Sequence, residues 1–262
     1  MIKVCFRNDD VNTVTPELDK VTDIFVSRGI PITHGVEPAN MTTQTVRWLR
    51  DLKKRYPNLM EIVQHGWSHQ KHGRGEFGPG RSFEKQLIDL TNGFEKMVSE
   101  FETDFFPALT IPFGVYNADT IKAASSLRYK VFCSHYNYRL SRRMFYVVGH
   151  ILGKGQIFGR RISNHLRRYP GTEMLQIDTS ISFIRKYFDD FGTGCQMFPV
   201  EEIMAMFRRL QKLIPVVVLL LHHRYFIQKD HLRLVHDVLD QFERRGDIQY
   251  VTCEELYREY YY

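Results

Sequence analysis

The sequence predicts an α/β chain, a (β/α) barrel built on parallel strands. Three observations predict it. Short apolar strand patterns alternate with amphipathic helix patterns, and such alternation implies parallel strands joined by crossover helices. Seven or eight such units follow one another, which favours a closed barrel over an open doubly wound sheet. No GxGxxG follows the first strand, which weighs against a dinucleotide-binding fold.

Ile2–Arg7 is the first strand. Thr15 caps a helix with Pro16 at its first position, where the missing N–H would have had no partner anyway, and that helix ends near Arg28-Gly29. Pro31–Val36 is the second strand, a helix over roughly Thr43–Arg55 stops before Pro57, and Leu59–Gln64 is the third strand. The clearest helix is Ser82–Phe101. Its Phe83, Leu87, Leu90, Phe94, Met97 and Phe101 recur at spacings of 3, 4 and 7 and form one core-facing stripe. Ala108–Ile111 is the fourth strand, Asn117 caps a helix to Leu127, and Tyr129–Ser134 is the fifth strand. Met174–Asp178, Pro215–Leu221 and Ile248–Thr252 resume as strands, with helices over Val200–Leu213 and Asp230–Arg244 between them.

With 262 residues, 43% of them hydrophobic and 25% charged, the chain can bury a sizeable core. Mean hydropathy is −0.33. The longest apolar run, Val216–Leu221, is six residues, and a membrane span needs roughly 18, so none is expected. Cys5, Cys133, Cys195 and Cys253 lie far apart with no CxxC pair, which fits reduced, mostly buried thiols better than a disulfide framework or a zinc ribbon. The chain opens directly on a strand with no signal-peptide h-region, so a cytoplasmic location is expected.

Net charge is +6, unevenly placed. Thr120–Thr172 holds eleven Lys/Arg and no acid, leaving 25 basic against 30 acidic residues elsewhere. The pI of about 9.1 therefore reports a local patch and not a globally cationic protein. This segment interrupts the strand–helix rhythm with aromatic and Gly-rich text and is read as a hairpin around Gly153-Lys154-Gly155. Its cations suit a solvated surface, a wall for an anionic glycan, or nucleic acid, since Tyr136, Tyr138, Phe145, Tyr146 and Phe158 interleave with arginines. No nucleic-acid module signature accompanies them, so nucleic acid ranks last.

Chemistry in parallel barrels sits where strands end and loops begin. The first strand ends in Arg7-Asn8-Asp9-Asp10, the third in His65-Gly66-Trp67-Ser68-His69, the fourth in Ile111-Pro112-Phe113-Gly114, and the late apolar strand in His222-His223-Arg224. Two histidines four apart reach one metal when they share a tight turn, and a carboxylate from elsewhere completes a facial set with open positions. His65 and His69 with Asp10 or Asp9 make that set. HxxxH alone means little among eleven histidines; joined to adjacent aspartates at another strand end it means much more. Two neighbouring acids are costly unless a cation neutralises them or one serves as a base.

These motifs resemble those of the polysaccharide deacetylase superfamily, metal-dependent carbohydrate esterases that remove N-acetyl or O-acetyl groups from sugars. The family's Asp-Asp pair is matched by Asn8-Asp9-Asp10, and its His-[Ser/Thr]-x-x-His by His65–His69 apart from Gly66. Its Arg-x-Pro-[Tyr/Phe]-Gly corresponds to Thr110-Ile111-Pro112-Phe113-Gly114, and its Leu-x-His to Leu220-Leu221-His222. The resemblance implies a distorted (β/α) barrel of about seven parallel strands, one catalytic domain over residues 1–262 with a basic insertion at about 135–172. It also implies hydrolysis of an acetyl group, N-acetyl foremost, from a sugar or polysaccharide. Asp10, His65 and His69 would hold one divalent ion, expected to be Zn2+. Asp9 would be the general base toward the attacking water, His222 the general acid for the leaving amine or alcohol, and the Phe113 backbone N–H a donor to the oxyanion. The physics agrees: a metal lowers the pKa of water from 15.7 toward roughly 7, a carboxylate takes the proton, and an imidazole protonates the leaving nitrogen.

The sequence also departs from the family pattern. Thr110 stands where the family has the arginine that orients its catalytic aspartate. Arg7 lies two residues before Asp9, so on a strand both point the same way, and Arg7 is expected to hold Asp9 instead. The family's aspartate near the end of the fifth strand is also missing; His135 or Asp178 could tune the catalytic histidine, and the sequence assigns neither. Of His222 and His223 only one can face the site, and family register favours His222. His34 reads as a structural histidine, His231 and His236 as surface, Gly73–Gly80 as a flexible loop beside the metal, and Tyr260–Tyr262 as a disordered tail or a partner contact. Two other functions stay open: a catalytically silent glycan-binding protein on the same scaffold, and a hydrolase of a non-sugar amide.

Overall fold

In the computed structural model, described over residues 1–137, 139–154, 165–188 and 194–261, five parallel strands lie side by side in chain order. They are β1 (Ile2–Val11), β2 (Ile32–Val36), β3 (Met60–His65), β4 (Phe105–Thr110) and β5 (Val131–Cys133). Between them run α1 (Pro16–Val26), α2 (Thr43–Arg55), α3 (Phe83–Phe101) and α4 (Ala118–Ser126). Each starts where a side-chain oxygen accepts an otherwise orphaned backbone N–H. Thr15 accepts from Leu18, Thr42 from Thr45, Ser82 from Lys85, and Asn117 from Thr120.

The ring closes through an irregular stretch. After α5 (Leu140–Ile151) come β6 (Leu175–Gln176) and β7 (Ile181–Ser182), an antiparallel hairpin of β8 (Ile184–Tyr187) and β9 (Cys195–Met197), then α6 (Val200–Leu210) and β10 (Val216–His222). β10 pairs with β1 over Lys3–Asp9. β6 pairs with β5 and β7 with β10, so residues 175–182 pass from one sheet edge to the other. The hand-over falls between neighbours: Thr179 N donates to Ser134 O at 2.8 Å and Ser180 N to Val218 O at 2.9 Å. The last elements are α7 (Lys229–Glu243), β11 (Ile248–Tyr250) and α8 (Cys253–Tyr261). β2 occupies its edge of β1 only from Arg7 onward, and β11 pairs with β1 below that, at Ile2–Val4. The expected distorted barrel of about seven parallel strands is observed, with β6 and β7 sharing one place in it.

Strand alternation sorts the core. Cys5, Val63, Ala108, Val131, Cys133, Val216 and Val218 pack together inside the barrel, where α8 plugs its base with Cys253, Leu256 and Tyr257. Val4, Phe6, Val217, Leu219 and Leu221 face outward onto α1, α6 and α7. Ile62, Leu109 and Phe132 face α2, α3 and α4. Cys5, Cys133 and Cys253 are buried, and none of the four cysteines is disulfide-bonded.

Several expectations change. The strand foreseen at Met174–Asp178 is only the two-residue β6, and β7 (Ile181–Ser182), beyond it, had no counterpart in the expectation. The first arm of the hairpin foreseen around Gly153-Lys154-Gly155 is instead α5, while Gly155 and the rest of 155–164 lie outside the described residues, as do Tyr138 and Tyr262. Tyr260 and Tyr261 are no disordered tail: they end α8, with the Tyr261 ring stacked 4.6 Å from Tyr257 and its hydroxyl donating to Glu173 at 2.5 Å. The start of α8 is fixed from a distance. Buried Glu61 on β3 accepts from Cys253 N at 3.0 Å and Glu254 N at 2.7 Å, a cap that neighbouring sequence cannot reveal. Among the described residues, no helix is long and apolar enough to cross a membrane.

Candidate active site

The same alternation that fills the barrel aims its upper rows into one cleft. On β1 the inward row runs Cys5, Arg7, Asp9; on β3 Val63, His65; on β4 Ala108, Thr110; on β10 Val218, Leu220, His222. Its top members, Arg7, Asp9, His65 and His222, line a cleft of about 380 Å³ at the strands' C-terminal ends, together with Asp10, His69 and Phe113. All seven residues singled out from the sequence meet there.

Asp10 should point away, because it follows an inward residue. It does not, because its φ of 65° places it in the left-handed region and the β1/β2 register slips between Asn8 and Val11. The slip turns two consecutive carboxylates toward one cleft. His69 (φ 54°) and Phe113 (φ 57°) also sit in this costly region, which marks strain concentrated at the site.

His65 Nε2 and His69 Nε2 lie 3.1 and 3.2 Å from the same atom, Asp10 Oδ1. One ligand atom from each of the three lies within 4.8 Å of the others. Asp10 Oδ1 and His65 Nε2 are buried without a hydrogen-bond partner among the described residues, an arrangement a bound cation resolves. The His65 tautomer suits a ligand too. Thr110 Oγ1, 3.3 Å from Gln64 O and 2.6 Å from His65 Nδ1, can donate to the carbonyl and accept from Nδ1–H, which leaves the Nε2 lone pair for the metal. Asp10 Oδ2 is 3.4 Å from Arg224 Nε, and Arg224 Nη2 donates to Glu37 Oε1 at 3.2 Å. Asn12 and Asn40 each donate to the other Glu37 oxygen at 2.8 Å. The donor set fits a divalent ion.

Asp9 is held by Arg7. Arg7 Nη2 donates to Asp9 Oδ2 at 3.0 Å, Nε lies 3.0 Å from Oδ1, and both side chains are 3% exposed. Burial alone would raise the Asp9 carboxyl; the Arg7 guanidinium, with His65 and His222, outweighs it and keeps the carboxyl below the usual carboxylate range. Asp9 Oδ1 sits so close over Gly35 of β2 that a Cβ there would lie 2.5 Å from it.

His222 faces the cleft and His223 does not. His223 is 2% exposed, and its backbone N–H donates to Asn8 Oδ1 at 2.9 Å. The Tyr187 hydroxyl lies 3.1 Å from His222 Nδ1. Burial lowers the His222 pKa, against the pull of Asp10 and Asp9. Asp178 is engaged elsewhere: it accepts from Ser134 N at 3.1 Å and lies 3.5 Å from His165 Nδ1, while His135 lines the cleft wall. His34 is structural, as expected: fully buried, 3.2 Å from Asn8 Nδ2 and 3.4 Å from Thr22 Oγ1.

The Gly73–Gly80 loop is packed where a flexible one was expected. Glu76 and Phe77 are fully buried, and Glu76 accepts from Ser68 N at 2.6 Å and Trp67 N at 3.1 Å, holding the turn that carries His69. Gly66 has a φ of 57°, and a Cβ there would fall on the Glu76 carboxylate and 2.5 Å from Pro112. That accounts for glycine in place of the hydroxyl residue of the resembled motif.

Sequence reasoning missed Tyr187, Glu37, Glu76 and Gly35 and gave Arg224 no role. Arg224 and Glu37 had a usable signal, since each follows the end of a parallel strand. Tyr187 had none, because a short hairpin inside an irregular stretch carries it.

No family model and no curated protein matches the chain. Solved structures do. A protein assigned as a polysaccharide deacetylase, from Mycobacterium smegmatis, superposes with a TM-score of 0.70 at 15% identity, covering 98% of this chain and 89% of that one. A family 4 acetyl xylan esterase from Clostridium thermocellum, solved with a cobalt ion, gives 0.59 at 12% identity, covering 98% and 90%. A peptidoglycan deacetylase from Bacillus subtilis gives 0.51 at 11%, covering 99% and 91%. At such identities the likeness is one of fold. The chain has the fold of the polysaccharide deacetylases and family 4 carbohydrate esterases, and it carries an Asp-His-His cluster at the C-terminal ends of its strands.

Proposed function

We propose that this protein is a metal-dependent hydrolase that removes acetyl groups, N-acetyl foremost, from a sugar or polysaccharide, as a single catalytic domain with a basic insertion at about 135–172. The observation that carries this reading is the convergence of His65 Nε2 and His69 Nε2 on Asp10 Oδ1 in a cleft that also holds an ionised Asp9 and His222. Asp10, His65 and His69 would hold the ion, with zinc suited to two imidazoles and a carboxylate. When bound, it supplies Lewis acidity, acidifying water and polarising an acyl oxygen.

The chain's own groups do the rest. Asp9, kept ionised and fixed by Arg7, accepts the proton of the attacking water at a carboxylate oxygen. The Phe113 backbone N–H donates to the oxyanion as it forms. His222 Nε2 delivers a proton to the leaving nitrogen, while Nδ1 is steadied by Tyr187. Lys71 and Arg74 at the cleft rim favour a glycan that bears a carboxylate or phosphate.

The test combines metal content and turnover. About one equivalent of zinc or a similar ion per chain is expected, lost in His69→Ala, with acetate released from chito-oligosaccharides in preference to a panel of small amides. No metal after incubation with zinc would sink the hydrolase reading. Tight glycan binding with no acetate release would make the protein a silent binder.

A further inference from the structure

The basic insertion carries a feature that the cleft chemistry does not use. α5 leaves Leu140, Met144, Val148 and Ile151 exposed by 74, 52, 48 and 76%, with Leu152 just beyond it at 63% and Phe145 at 55%. At 3.6 residues per turn these six share an arc of about 140°. Outside the arc Gly149 is buried, and Arg143, Tyr146 and Val147 are half-buried, with Tyr146 on the side opposite the arc. A helix packed on a barrel ordinarily turns its apolar arc inward. This one turns it outward.

The charges of its own stretch of chain have one sign. Arg142 lies about 60° beyond one edge of the arc, Arg139 and Lys154 stand just before and after the helix, and all three are exposed; the stretch from Thr120 to Thr172 holds eleven cations and no acid. We propose that α5 is an interfacial anchor that lays this apolar arc into an anionic lipid surface, with the flanking cations meeting the headgroups. A second copy of the chain is a poorer occupant, because pairing the arc with itself sets the cations around α5 of one copy, Arg139, Arg142 and Lys154, against those of the other with no acid of that segment between them. A glycan alone offers no apolar layer for so many aliphatic side chains. At twelve residues the helix is about 18 Å long, too short to span a bilayer, so it lies in the plane of the surface. It begins five residues after His135, which lines the cleft, so anchor and cleft mouth share one rim of the barrel. The inference stands apart from the deacetylase reading.

Sedimentation of the whole chain with vesicles tests it, using phosphatidylcholine alone or mixed with phosphatidylglycerol. Binding to the mixed vesicles is expected to be at least about tenfold stronger than to the neutral ones, and to weaken with salt. Met144→Gln/Val148→Gln should cut partitioning about tenfold, and Arg139→Ser/Arg142→Ser should erase the preference for anionic lipid. Unchanged circular dichroism and an unchanged thermal unfolding midpoint in both variants would exclude misfolding. Equal or absent binding to the two vesicle types, or indifference to both variants, overturns the proposal. So does a solution dimer that Met144→Gln/Val148→Gln splits while vesicles capture nothing, since a second copy would then own the face. Failure of acetate release would leave these results standing, because sedimentation needs no turnover.

Discussion

Arg7 and Asp9 form a pair that neither residue can leave cheaply. Both are buried, and removing one partner of such a pair strands the other charge at a cost of about 3–5 kcal/mol. Arg7→Ala should therefore lower stability by that order and let burial lift the Asp9 carboxyl. The acid limb of kcat/KM then moves to higher pH, with activity down roughly 10²-fold or more. Arg7→Lys should restore part of both. A variant profile that overlays the parent's would show that Arg7 does not set the ionisation of Asp9. The two adjacent histidines should separate in the same assay. His222→Ala is expected to cost roughly 10²–10⁴ in kcat, and His223→Ala to act on stability instead. Tyr187→Phe withdraws an acceptor from protonated His222 Nδ1, so the basic limb should fall to lower pH with metal content unchanged.

At the scale of elements, the turn that carries His65 and His69 is built by two loops that never meet in sequence patterns. Glu76 feeds its carboxylate to the Trp67 and Ser68 N–H groups, and Gly66 clears the space for it. Gly66→Ala forces a Cβ into that carboxylate at a positive φ, and Glu76→Gln gives up the charge on the hydrogen bonds. Each is expected to weaken metal affinity about 10–100-fold without touching a ligand, as disturbed supporting groups do. Competitive titration with a chromogenic chelator measures it, and unaltered affinity in both would mean the turn holds itself. That HxxxH closes on one atom was legible in its spacing. The packing of Gly73–Gly80 was not, since a run of glycines looks the same whether it is loose or wedged against Val115.

For the whole molecule, acid is the expected weakness. Burial holds His34 down at about 3 and His223 at about 4, against 6.5 when unfolded. Both folded values are depressed, so between these limits the unfolded chain binds more protons. Stability present above pH 6.5 is lost as pH falls toward 4, by up to about 1.4 kcal/mol per pH unit for each histidine. Urea midpoints across that range should slope accordingly, and His34→Gln should flatten the slope. A flat parent curve would mean that neither ring stays neutral in the fold.

The sequence by itself determined the parallel strands, the capped crossover helices and the residues gathered at the strand ends. Periods of 2 and 3.6 are local, and period 2 alone puts Arg7, Asp9, His65 and His222 on inward rows. It also determined the Arg7–Asp9 pairing, because residues two apart on a strand share a face. Tertiary structure decided what local pattern forbids or leaves silent. Asp10 reaches the cleft only because a slipped register between β1 and β2 flips it out of alternation. The ring closes only because residues 175–182 find an edge on each side, and α8 is capped only because Glu61 waits on β3. Such contacts join residues far apart along the chain, and no window of sequence holds both partners.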